Sequence, residues 1–336
     1  MPDGGDERNP PETAAQESCG GRGALVESVP NFSEGRRAHV VEEIVNAFTN
    51  AHPEVLLLDR SSDADHNRSV VTLAGPGPAL VDAVISGAAA CVRLIDLTRH
   101  GGVHPRMGAL DVVPFVPLDP ACDCVPLALE AGRRLVDEIG IPVYLYGAAA
   151  RVPSRAELPG VRAGGFEELA LAAGGDPARA PDLGGPGLHP TAGATAVGVR
   201  PFLIAYNVNL ATEDVSLARR IAGAVRARDG GLPAVRALGL PLEGRRITQV
   251  SMNLLDFHVT GLANAFAAVA ALAADAGVEV VESEIVGLVP EAALTGIELQ
   301  HLKLHGFSRD LTVEERIRRA IAARGSRARQ QGGFSM

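Results

Sequence analysis

No tryptophan occurs among the 336 residues, and cysteine is confined to Cys19, Cys91, Cys122 and Cys124. Cys122 and Cys124 stand one residue apart with no second pair, which argues against a zinc ribbon. Cys91 lies in an apolar run and reads as a small buried thiol. Cysteine used this sparingly fits a reduced, cytoplasmic setting. No apolar run of signal length opens the chain, and no uninterrupted apolar span approaches a transmembrane helix, so no membrane is expected. A net charge of −9 argues against a broad nucleic-acid surface while leaving room for a local basic pocket around an anionic small molecule. A P-loop, a Rossmann glycine fingerprint and a G-x-S-x-G elbow are all missing, which weighs against nucleotide-driven, nicotinamide and serine-hydrolase chemistry.

What is present is a globular chain, 46% hydrophobic and 21% charged, long enough for about two domains. The focal stretch is Arg99 to Pro117. Its first part, Arg99-His100-Gly101-Gly102-Val103-His104-Pro105-Arg106-Met107-Gly108, sets two histidines and two arginines among glycines and a proline. Ala109 to Pro117 is mostly apolar around Asp111 and reads as a strand entering a core. A cationic, bendable loop feeding a buried strand can hold reactive groups on a rigid edge. His104 can shuttle a proton near neutral pH, and Arg106 can hold a carboxylate or brace the loop. His100 and His104 have ligand-like spacing, but the glycines between them and the absence of a zincin glutamate argue against a metal.

Residues 1–23 lack periodicity and read as a mobile leader. Strands are expected at Ala24–Val29, Glu54–Leu58, Ser69–Ala74 and Ala109–Pro117, with helices at Arg36–Asn50 and Leu80–Ile95. Asn31 and Ser33 would cap the first helix or offer its N-terminus to an anion. The order β-α-β-β-α-β is that of a ferredoxin-like unit, whose second sheet face is left for a partner or a ligand. A helix at Cys122–Ile139 and a strand at Pro142–Tyr146 follow, then a breaker-rich excursion to residue 177 and an aperiodic glycine-rich loop from Pro181. The second half repeats the theme. Strands are expected at Ala194–Val199, Pro201–Leu210, Ala234–Leu240, Arg246–Asn253 and Glu279–Leu288. Helices are expected at Glu213–Arg226, capped by Thr212, and at His258–Ala276. Thr312 and Glu315 form a capping box for a last helix, and 326–336 reads as a flexible tail.

Several motifs carry a resemblance. Val29-Pro30-Asn31-Phe32-Ser33-Glu34-Gly35, Leu94-Ile95-Asp96, His104-Pro105-Arg106-Met107-Gly108-Ala109-Leu110-Asp111, Val143-Tyr144-Leu145-Tyr146-Gly147 and Gln249-Val250-Ser251-Met252-Asn253-Leu254-Leu255-Asp256 resemble, in order, the glutamate formimidoyltransferase family. The resemblance implies an α+β fold of two tandem ferredoxin-like α/β-plait subdomains, here 24–199 and 200–325, with a ligand tunnel between them and a homodimeric assembly. It implies transfer of a formimidoyl group from N-formimidoyl-L-glutamate to N5 of tetrahydrofolate, a co-substrate. The catalytic histidine would be His104. The folate-contacting loop would be Gly184-Gly185-Pro186-Gly187-Leu188-His189-Pro190-Thr191-Ala192-Gly193. Asn67, Arg68, Arg106, Asn207 and Asn209 are weaker candidates for contact with pterin or amino acid.

Departures bear on the donor. Ser61 stands where relatives carry an acid, Gly101 and Val103 replace a lysine and a glutamate beside His104, and Ala192 replaces a tryptophan. The rival readings are therefore a folate-dependent transferase for a different N-formimidoyl amino acid, and a catalytically silent folate-binding or regulatory protein.

Overall fold

A computed structural model of the chain describes residues 17–18, 25–102, 105–119 and 121–332. Its elements begin with β1 (Glu17–Ser18), β2 (Leu25–Ser28), β3 (Asn31–Phe32), α1 (Ala38–Thr49), β4 (Leu56–Asp63), β5 (Arg68–Pro76) and α2 (Gly77–Leu94). They continue with β6 (Leu110–Pro117), β7 (Cys122–Asp123), α3 (Val125–Arg134), β8 (Val143–Gly147), α4 (Leu158–Val161), α5 (Gly165–Ala172) and β9 (Thr195–Val199). The second half comprises β10 (Ile204–Leu210), α6 (Val215–Val225), β11 (Val235–Leu242), β12 (Ile247–Leu254), α7 (Leu262–Asp275), β13 (Val280–Val286) and α8 (Val313–Gly332). The fold is α+β with two sheet-bearing halves.

In the first half, β2 and β3 lie in line between β5 and β6, β4 flanks β5, and all of these pairings are antiparallel. Strands β9 and β8 extend the sheet in parallel beyond β6. Period-2 alternation along β5 sends Val71 and Leu73 into the core under α1 and α2, and leaves Arg68, Val70 and Thr72 on the other face. The two helices approach closely because residue 87 is glycine: a Cβ there would lie 2.2 Å from the Phe48 ring. The second half is an antiparallel sheet in the order β11-β12-β10-β13, with α6 and α7 contributing Leu217, Ile221, Leu262 and Val269 to its own core. Helix α8 returns to the first half, where Val313 joins Leu56, Leu58 and Ala74 in a small apolar cluster. Arg324 donates to the carbonyls of Pro53 and Val55.

Several sequence expectations need correction. The first strand resumes after Pro30, because Asn31 and Phe32 pair with both β5 and β6. Asn31 and Ser33 therefore do not cap α1: the Ser33 hydroxyl donates to the Gly108 carbonyl at 2.8 Å, and the Glu34 carboxylate accepts the N–H groups of Arg36 and Arg37. The polar stretch after Leu58 continues as strand to Asp63. Asp214, rather than Thr212, caps α6, and α7 starts at Leu262. The capping-box hydroxyl of Thr312 does accept the Glu315 N–H. Glu17–Ser18, within the stretch read as a leader, pairs in parallel with Cys122–Asp123, and α8 runs through the expected tail to Gly332. Cys122, read as a reduced thiol, is disulfide-bonded. One helix, α2, is long and apolar enough to cross a membrane by length and composition, contrary to the sequence reading. It is more than half buried, as a core helix over a sheet.

Candidate functional site

The free faces of the two sheets meet at a cavity of about 1080 Å³. Alternation places its lining. From the first sheet come Glu27, Val29 and Asn31, with Arg68, Val70 and Thr72 of β5 and Asp59 and Ser61 of β4. From the second come Arg236, Asn253, Ala205 and Val286, which are register partners in one row across the sheet. A second space of about 1450 Å³ adjoins it, sharing Asn31, Arg68, Arg200, Phe202 and Arg236.

His104 lies outside the described residues, as does Val103, but both shoulders of the loop are defined. Gly102, Pro105 and Arg106 line the cavity. On the N-terminal shoulder, Asn67 holds three segments together. Its Oδ1 accepts the Gly35 N–H at 3.0 Å, its Nδ2 donates to the Gly101 carbonyl at 3.1 Å, and its own carbonyl meets His100 Nε2 at 3.0 Å. Asn67 adopts positive φ, which asparagine tolerates better than most residues. Gly102 packs so tightly that a Cβ would sit 2.4 Å from the His66 carbonyl oxygen. On the C-terminal shoulder, the Asp111 carboxylate accepts the Met107 and Gly108 N–H groups at 2.8 and 3.3 Å. Its other oxygen takes Arg162 at 2.5 Å and faces Arg68 at 3.7 Å.

The weaker candidates are held by protein groups as well. Arg68 lines the cavity, but its guanidinium binds Asn31 Oδ1 at 2.5 and 3.1 Å. Burial pulls it down to about 10, with the Asp111 carboxylate opposing that fall. Arg106 lines the cavity, pairs with Glu167 at 2.9 Å and donates to the carbonyls of Leu97 and His100. Asn207 and Asn209 donate across the sheet to Glu284 and Glu282. None of the ten loop residues Gly184–Gly193 lines either cavity. The last part of that loop backs the segments on either side of residue 104 instead: Thr191 and Ala192 carbonyls accept Leu97 and Ala109 N–H groups. His189 Nδ1 accepts the Ala192 N–H. Ala192 is buried in the first core.

Sequence reasoning missed Glu27, Arg162, Arg200 and the anchoring role of Asp111. Glu27 was findable: a free second sheet face was expected, and a lone carboxylate beside Val26 in β2 falls on it. Burial pushes its carboxyl up to about 7, against the lowering effect of Arg200. The folded protein therefore holds the proton more tightly than the unfolded chain, and stability falls as pH rises from 4.5 towards 7. Glu27→Gln is expected to remove about 3 kcal/mol of that loss, so it should raise the urea midpoint at pH 8 and change it little at pH 4.5. Equal shifts at both pH values would contradict this account.

The profile described as formiminotransferase domain, N-terminal subdomain, matches residues 25–200, and that of the formiminotransferase domain matches 205–331. The chain belongs to the formiminotransferase family. It is 43% identical over 300 residues to a glutamate formimidoyltransferase of Thermoplasma acidophilum, covering 88% of this chain and 98% of that one. A glutamate formimidoyltransferase of Streptococcus pyogenes serotype M1 is 41% identical over 291 residues, covering 84% and 95%. The formimidoyltransferase-cyclodeaminase of Sus scrofa is 43% identical over 283 residues, and there the match spans 51% of the longer protein.

Proposed function

We propose that the protein transfers the formimidoyl group of N-formimidoyl-L-glutamate to N5 of tetrahydrofolate, releasing L-glutamate. The observation that carries this reading is the cavity between the two sheets, which Gly102, Pro105 and Arg106 on the shoulders of residue 104 help to line. The whole-length similarity to two glutamate formimidoyltransferases supports it. The cavity volume suits a ligand of folate size, and its lining offers guanidinium groups. Tetrahydrofolate, when bound, supplies a nucleophilic ring nitrogen. His104 would accept the proton shed as that nitrogen attacks and return it to the departing glutamate nitrogen. Asn67, Asp111 and Arg106 would hold the loop for it, and Arg68 would offer positive charge at the cavity wall. The loop Gly184–Gly193 is kept as the folate-contacting segment on the family resemblance.

We read each half as a ferredoxin-like plait, which the strand order β11-β12-β10-β13 supports, and the two adjoining spaces as one tunnel. The division at 199/200 is part of the same reading. A homodimer is the assembly proposed; edge strand β11 exposes Leu238 and Leu240, apolar surface that association would cover. We keep the cytoplasmic location, which the buried thiols of Cys91 and Cys124 fit and the Cys122 disulfide does not.

The test is turnover with tetrahydrofolate, comparing N-formimidoyl-L-glutamate with N-formimidoylglycine and following 5,10-methenyltetrahydrofolate after acid treatment. Strong turnover with the glutamate compound is expected. Turnover only with the glycine compound would make Gly101 and Val103 specificity changes, and silence with both, alongside folate binding, would favour the silent binder.

A further inference from the structure

The arginines around the cavity are mostly answered by carboxylates. Arg68 and Arg162 share Asp111, Arg106 has Glu167, and Arg236 has Glu157 at 2.8 Å. Two charges break the pattern. Arg200 has no carboxylate within ion-pair distance among the described residues; its guanidinium meets the Pro201 carbonyl at 3.0 Å and the Tyr146 hydroxyl. Glu27 is 2% exposed, and among the described residues its carboxylate has no hydrogen bond or ion pair, although it lines the cavity. A buried carboxylate without donors is costly and persists where something else supplies them.

The register sets the pair side by side. Glu27 stands opposite Val116 of β6. Arg200, just past β9, donates its backbone N–H to Phe115 of the same strand. The two therefore flank β6 one residue apart along it, and both reach the same cavity.

We propose that Glu27 and Arg200 form the donor subsite: the Glu27 carboxylate pairs with the amidinium of an N-formimidoyl amino acid, and Arg200 takes a carboxylate of the same molecule. This rests on the transferase reading. An amidinium presents two N–H groups on one planar edge, the arrangement a carboxylate receives bidentately. Pairing also keeps the amidine protonated, which is the form whose carbon is electrophilic. The corresponding N-formyl compound is neutral there and loses a donor, so it leaves the buried carboxylate underpaired.

The experiment is calorimetric binding of N-formimidoyl-L-glutamate and N-formyl-L-glutamate at pH 8 to the wild-type protein, Glu27→Gln and Arg200→Gln, with melting curves confirming each fold. The wild type is expected to prefer the amidine by about tenfold or more. Glu27→Gln should bring that preference near unity and leave the KM for tetrahydrofolate unchanged. Arg200→Gln should weaken both ligands alike. A Glu27→Gln protein that keeps the preference overturns the proposal, as does one in which only the tetrahydrofolate KM rises. The preference is read without turnover, so a wild type that binds the amidine selectively yet transfers nothing would count against the transferase reading alone.

Discussion

Replacing His104 by asparagine is expected to lower turnover by about 10²- to 10⁴-fold, with the melting temperature unchanged. The expectation is built from the shoulders of the loop. Gly101 is tied to Asn67, Gly102 has no room for a side chain against His66, and Met107 and Gly108 hang on Asp111. A loop fixed at both ends beside a cavity can hold one side chain in a reactive position. Asparagine keeps a polar side chain of similar reach and removes the titrating nitrogen, so the loss reports on proton transfer rather than on packing. The remaining activity should no longer fall at acid pH with the ionisation of a histidine. A folded His104→Asn protein with near-normal turnover would rule the histidine out as the shuttle.

What was legible in the sequence follows the physical range of each signal. Helix α1 could be read because Val40, Val41, Ile44, Val45 and Phe48 repeat at helical spacing, and all five are buried. The two-half α+β plan followed from the repeated order of strands and helices. Strand ends were less legible. Asp63 belongs to β4 only because Arg68 pairs with it across the turn, a tertiary fact invisible in a run of polar residues. Candidate residues were found by type and motif, and their partners could not be. Asn67 was a candidate polar contact, and Arg106 a candidate carboxylate binder or loop brace, on residue type and position alone. Each is occupied by protein groups brought from residues 35, 101 and 167. Glu27 was overlooked because a single acid in a four-residue strand has no motif. Only the combination of strand alternation with an uncovered sheet face singles it out.

Asp111→Ala is expected to destabilise the fold by about 3–5 kcal/mol and to lower the turnover of the protein that remains folded. Asp111 is 1% exposed, while the side chains of Arg68 and Arg162 are 16% and 13% exposed. Removing its carboxylate strands two partly buried guanidinium groups near each other, and the Arg162 charge already works against that of Arg68. The same substitution frees the Met107 and Gly108 N–H groups, which loosens the segment carrying residue 104. Asp111→Asn separates the two effects. An amide oxygen can still accept from Met107, so the loop keeps one tie while the ionic cluster is lost. Urea midpoints should therefore fall in the order wild type, Asn, Ala, and turnover should suffer more in Ala than in Asn. An Asn variant as stable as the wild type would mean that the ion cluster adds nothing, and that the loop is held by its neighbours at Gly193 and Ala194, whose backbones also meet residues 107 and 108.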